Sequence, residues 1–263
     1  MKKGMVFFTL LANVFFALYA QTAGPAVNAE AIVRAARDRI QADTISVRSR
    51  MVIQARGGST TERLIDQYSK DGPRGSRTVI VFLRPETVAG TRFLTMDNPG
   101  GTDDRWIFLP GAGRVRRVAA AEGSSSFMGT DFSFDDISAQ NRRADLDTHT
   151  LLREEVLDGV NFYVIQSVPK DSSYQYSRIV QWITKDTFIT TRLELFDRRN
   201  TLVKVAEMSD LREVQGRLTV HQTRMTTLAA GTSTTIFTEI IRYDDPIPES
   251  VFTTAFLETG RPR

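Results

Sequence analysis

The chain has 263 residues, enough for one large β domain or two small ones around a sizeable core. Its 41% hydrophobic and 25% charged content is that of a folded globular protein, and the absence of cysteine excludes disulfides, thiolate metal sites and lipid attachment at a leader cysteine. The formal charge is +3, but with Lys2 and Lys3 lost in a cleaved leader 32 basic residues face 31 acidic ones, so no basic excess remains for a nucleic-acid partner.

Residues 1–20, MKKGMVFFTLLANVFFALYA, have a basic head and then an apolar run, the layout of a secretory signal peptide. The run is interrupted by Asn13 and is short for a membrane span. Export is therefore expected, with cleavage after Ala20 and with Ala29 as the second position. Residues 21–263 then form one domain in a periplasm or outside the cell.

From Asn28 to Gln41 the apolar residues Ile32, Val33, Ala36 and Ile40 share one helical face, with Asn28 as the candidate N-cap. Strand patterns follow at Ile45–Ala55, Thr61–Ser69, Ser76–Arg84, Thr91–Met96, Arg105–Leu109 and Arg114–Val118. The breaks between them are Gly57-Gly58, Asp71-Gly72-Pro73, Pro85 and Asn98-Pro99-Gly100-Gly101. An aromatic and acidic knot, Ser126 to Asp136, interrupts the series. Strands resume at Leu151–Leu157, Val160–Val168, Tyr176–Thr184, Ile189–Phe196, Leu202–Met208, Leu218–Leu228 and Thr234–Tyr243. Asp158-Gly159 is a two-residue hairpin signal. Pro248-Glu249-Ser250 opens a short helical turn carrying Val251, Phe252 and Phe256.

Short links between consecutive strands imply antiparallel meander pairing. The strand at Ile189–Phe196 alternates apolar and polar residues, as a sheet with one wet face does. Val79 to Leu83, Trp106 to Leu109 and Ile236-Phe237 with Ile240-Ile241 are apolar on both faces and need cover on both. A curved sheet capped by helical pieces satisfies this pattern, and so does a closed β-sandwich.

Signals for catalysis are thin. There are only two histidines, His149 and His221, with no H-E-x-x-H, no G-x-S-x-G elbow and no phosphate-cradling glycine loop. No catalytic residue and no cofactor is assigned. Asp131, Asp135 and Asp136 are weak candidates for a hard cation. The default reading is local structure, with Asp131 and Ser133 capping a short turn whose N-terminal end Asp135 and Asp136 stabilise. Phe127, Met128, Phe132 and Phe134 are large apolar groups in a loop, so they either plug an opening or face an apolar ligand.

Three segments resemble the LolA-like outer-membrane lipoprotein-sorting proteins of diderm bacteria, in their larger branch. They are Trp106-Ile107-Phe108-Leu109-Pro110 with Arg114 to Val118, the whole knot from Ser126 to Asp136, and Ile247-Pro248-Glu249-Ser250-Val251-Phe252 with Phe256-Leu257. The resemblance implies a mainly β fold with a few helices: a half-open antiparallel β-barrel with a helical lid over an apolar cavity. It also implies a periplasmic carrier for acyl chains of lipoproteins or phospholipids, which takes cargo from an inner-membrane ABC release complex and passes it to an outer-membrane acceptor. The expected cavity lining is Phe93, Trp106, Phe108, Phe127, Met128, Phe132 and Trp182. Two other readings stay open on the same scaffold. One is a metal-assisted phospholipid hydrolase using Asp131, Asp135 or Asp136 with His149 or His221. The other is a regulatory binder of mislocalised lipoproteins.

Overall fold

Asp158 and Gly159 sit at φ 49° and 79°, the left-handed backbone that a two-residue hairpin between right-twisted strands requires. Turns of this kind repeat along the chain, and they make the fold a meander. The computed structural model describes residues 28–72, 75–98, 103–139 and 142–262. The leader predicted over residues 1–20 lies outside them, as do parts of the turns predicted around Pro73 and Pro99.

Helix α1 (Ala29–Asp38) is capped by the Asn28 side chain, which accepts from the Ala31 amide at 3.2 Å. Six strands follow: β1 (Thr44–Gln54), β2 (Thr60–Lys70), β3 (Arg77–Arg84), β4 (Arg92–Met96), β5 (Asp104–Leu109) and β6 (Arg114–Arg117). A connection containing α2 (Phe134–Ser138) leads to seven more. These are β7 (Asp147–Leu157), β8 (Val160–Pro169), β9 (Arg178–Thr184), β10 (Thr190–Phe196), β11 (Leu202–Val214), β12 (Arg217–Thr227) and β13 (Thr232–Tyr243). A 3-10 turn, Glu249–Phe252, and α3 (Thr254–Thr259) end the chain.

All thirteen strands form one antiparallel sheet in the order β6-β5-β4-β3-β2-β1-β13-β12-β11-β10-β9-β8-β7. Every neighbour is also a neighbour in sequence except β1 and β13, which join the two halves. The sheet stays open, because β6 and β7 are edges rather than partners. One face carries a single core to which β5, through Ile107, and β10, through Leu195, both contribute, with Ile179 of β9 packed against it. Laid flat, β5 and β9 would be about 43 Å apart at normal strand spacing. The sheet therefore curls around this face, which is concave. The sandwich reading is excluded and the half-open barrel with helices across its mouth is what forms.

The two faces are closed by different pieces of chain. Ala29, Ile32 and Val33 of α1 bury against Ile165 and Ile183 on the concave side of β8 and β9. On the convex side, Val251, Phe252, Phe256 and Leu257 cover Val79 and Leu94. Glu249 pins this C-terminal strap through Lys70 and Arg77, both at 2.6 Å. Those two cations hold its carboxyl down at about 2. Among the described residues, no helix is long and apolar enough to cross a membrane.

Candidate functional site

The connection from β6 to β7 has to travel from one edge of the sheet to the other. It crosses the concave side, and residues 118–139 of it form a lid. The Phe127 amide donates to the Phe132 carbonyl at 2.8 Å, and the Ser126 hydroxyl donates to the Thr130 carbonyl at 2.7 Å. Met128 at φ 53° and Gly129 at φ 74° make the reversal between them. Ser133 caps α2, and Asp136 returns a bond from the Ser133 amide at 2.8 Å, completing a capping box.

This loop drives Phe127 into the trough until none of its surface is exposed. Its ring lies 5.8 Å from Phe82, 5.2 Å from Phe93 and 5.4 Å from Phe134, in tilted and edge-on geometries. Met51, Ile65 and Ile80 extend the same surface on one side, and Leu195, Ala206 and Met225 on the other. The trough is apolar, but the lid is tied to its walls by polar groups. The Thr234 hydroxyl donates to Asp131 at 2.7 Å and accepts from the Asp131 amide at 3.0 Å. Arg105 of β5 donates to Asp135 at 2.6 Å. Lys204 of β11 and the Tyr176 hydroxyl both donate to Asp136 at 2.8 Å. Arg63 of β2 reaches the Met128 carbonyl at 2.6 Å. Burial, reinforced by the negative charge of Asp136, pushes the Tyr176 phenol far up, so it remains a donor.

The three aspartates thus turn to three different sets of partners. The capping role expected of Ser133 is seen. Asp131 does not cap the turn but hooks the lid onto β13. Among the described residues, no group of three His, Asp or Glu side chains is placed to hold a metal ion. His149 is bonded to Ser167 at 2.7 Å and the Ala144 carbonyl at 2.8 Å, and His221 to the Thr219 carbonyl at 3.2 Å.

The expected lining residues are not all brought together. Phe93, Phe127 and Phe132 belong to the concave core and Met128 packs against it. Trp106 and Phe108 lie on the convex face beneath the strap. Trp182 is also convex, among Phe162, Val164 and Val180, with the Arg192 and Arg153 guanidinium groups 5.6 and 5.8 Å from its ring centroid. The cause is register. Phe93 pairs with Ile107, which puts Ile107 in the trough and sends Trp106 and Phe108 out. Phe82, Ile65 and Met225 line the trough without having been singled out, and same-face pairing with Phe93 across the strands is the signal that finds them.

Toward α1 the concave side opens into a cleft of about 630 Å³, one wall of which carries Asp71, Ser76 and Asp97. The Ser76 amide donates to Asp97 at 3.1 Å, and burial pushes the Asp97 carboxyl up to about 6. Its folded pKa is above that of an unfolded Asp, so the folded chain holds the extra proton between about pH 4 and 6. This contribution to stability is full below that window and lost as pH rises through it. Urea midpoints of the wild type should therefore decline across the window relative to those of Asp97→Asn.

A LolA superfamily protein of Nitrosomonas europaea superimposes with a TM-score of 0.71 at 19% identity, over 88% of this chain and 100% of that one. A Vibrio parahaemolyticus domain named for outer membrane lipoprotein sorting gives 0.82 at 24% identity, over 88% and 98%. The fold is that of the LolA superfamily. A DUF1329 family protein of Desulfovibrio piger is 30% identical, with a TM-score of 0.83 over 87% of this chain and 97% of that one. The family model that matches residues 74–259 is described only as "-like: Uncharacterized protein". The chain belongs to the DUF1329 family. No curated protein matches it.

Proposed function

We propose that the chain is a carrier that shields acyl chains in the trough, working in the periplasm after removal of residues 1–20. The observation that carries this reading is the origin of Phe127. A fully buried ring at the centre of the apolar trough comes from a connecting loop, not from the sheet. The loop is fastened by hydrogen bonds and ion pairs whose groups water can satisfy on release. An acyl chain can then take the place of the ring. Each methylene it buries is worth about 0.8 kcal/mol, so a few of them offset the ring's own burial. Lipoproteins and phospholipids both present such chains. Cargo would come from an inner-membrane ABC release complex and leave to an outer-membrane acceptor, in line with the lipoprotein-sorting name of the Vibrio domain.

The test is uptake of a photoactivatable fatty acid by the mature protein, followed by peptide mapping. Crosslinks should fall on the Phe127 loop and on the Phe82 and Phe93 strands. Crosslinks confined to the Trp106 and Phe252 face, or no uptake, would remove the proposal.

A further inference from the structure

Four neighbouring strands run through the same change of chemistry on their concave positions. From the trough outward, β2 presents Ile65, Gln67, Ser69 and then Asp71. The matching positions on β3 are Phe82, Ile80, Thr78 and Ser76, and on β4 Phe93, Thr95 and Asp97. On β5 they are Ile107, Arg105 and Asp103. Aliphatic and aromatic residues give way to polar groups and then to a hydroxyl or a charge, over about 13–20 Å along each strand. The middle band is buried, with Ser69 at 9%, Thr78 at 5% and Thr95 at 2% exposure. It ends at the cleft, where Asp71, Ser76 and Asp97 form the sheet wall.

Among the described residues the cleft is polarised. Its sheet wall carries two aspartates and, among the described lining residues, no cation. The opposite wall, from α1 and the segment after the lid, carries four arginines and two aspartates. Half of these charges form ion pairs: Arg34 pairs with Glu30, Arg142 with Asp147 and Arg143 with Asp145, while Asp38 and Asp71, like Asp97, form none among the described residues. Arg37 donates to the Arg142 carbonyl and makes no ion pair among the described residues. Asp97 takes one backbone amide and likewise makes no described ion pair. A guanidinium and a carboxylate, neither in an ion pair among the described residues, thus line the same cleft at the polar end of an apolar trough; the nearest opposite charges, Asp147 to Arg37 and Arg143 to Asp97, act on them only at longer range.

We infer that the cleft takes the zwitterionic headgroup of a phospholipid, its phosphate toward Arg37 and its primary ammonium toward Asp97, with the acyl chains in the trough. This rests on the acyl-binding reading and narrows it to one class of amphiphile.

The experiment is displacement of a fluorescent fatty acid from the mature protein by short-chain phosphatidylethanolamine, phosphatidylglycerol, a diacylated lipopeptide and glycerophosphoethanolamine without chains. Phosphatidylethanolamine should displace best, ahead of phosphatidylglycerol by roughly tenfold, the scale of one charge-assisted contact. Asp97→Asn should erase that preference, and Arg37→Gln should weaken both phospholipids. If the fluorescent fatty acid binds but the two phospholipids compete equally, or the lipopeptide outcompetes both, the headgroup site is wrong and the acyl trough stands. Failure of the fatty acid itself to bind removes both. Chain-free glycerophosphoethanolamine binding as tightly as the lipid would also overturn the inference, since the occupant would then be a soluble phosphate ester.

Discussion

Replacing Phe127 with alanine is expected to lower unfolding free energy by about 3–5 kcal/mol and, at the same time, to tighten acyl binding. The ring is wholly buried and touches Phe82, Phe93 and Phe134, so its removal leaves a cavity in a rigid aromatic surround. In an ordinary core position that would be the whole effect. Here the cavity would lie where an acyl chain is proposed to go, and the chain would no longer have to displace a ring. Urea unfolding with and without saturating fatty acid separates the two cases. Ligand should return a large part of the lost stability to Phe127→Ala while raising the wild type less. If the variant binds fatty acid more weakly than the wild type, Phe127 is part of a permanent core and does not occupy a ligand's place.

The second large effect is expected at Asp136. Its carboxylate has 6% side-chain exposure and Lys204 has 16%. It accepts from Lys204, from the Tyr176 hydroxyl and from the Ser133 amide, each at 2.8 Å. Asp136→Ala removes the reciprocal half of the capping box and strands a buried ammonium, a loss of about 3–5 kcal/mol. Lys204→Met alone strands the carboxylate less severely, because Tyr176 and Ser133 still satisfy it. Combining Lys204→Met with Asp136→Ala should therefore destabilise by much less than the sum of the singles. Hydrogen exchange of residues 126–136 gives the second readout. Asp136→Ala should deprotect the lid well before the strands of the trough. Lid and sheet losing protection together would show that the lid has no independent opening.

The strands were legible because alternating or wholly apolar runs are separated by turn residues. The Asp158-Gly159 turn falls where the sequence puts it. Two extensions were not legible. β7 begins at Asp147 and β11 runs on to Val214, through polar residues that carry no alternation and are held by the backbone ladder to β8 and β12. The lid was half-legible: four large apolar groups in a loop required a surface to cover. Which side chains would meet it was not. Trp106, Ile107 and Phe108 are consecutive and all apolar, so only their pairing against Leu94, Phe93 and Arg92 decides that Ile107 alone faces inward. Trp182 repeats the problem beside Ile183, since the smaller neighbour faces the concave core. Asp131 was read as a local cap because sequence shows only neighbours along the chain, and its partner Thr234 is 103 residues away.

The seam between β1 and β13 governs when the trough can exist. Met51 stands beside Ile236 there, and both belong to the trough or pack against it. Every other strand pair forms between segments made one after the other, but this one joins the first strand to the last. Strands β1 to β6 pair among themselves and so do β7 to β12, but the two halves of the trough are joined only when residues 232–243 are in place. On the proposed reading, a chain lacking β13 would have two separate half-sheets and no complete trough for a lipid.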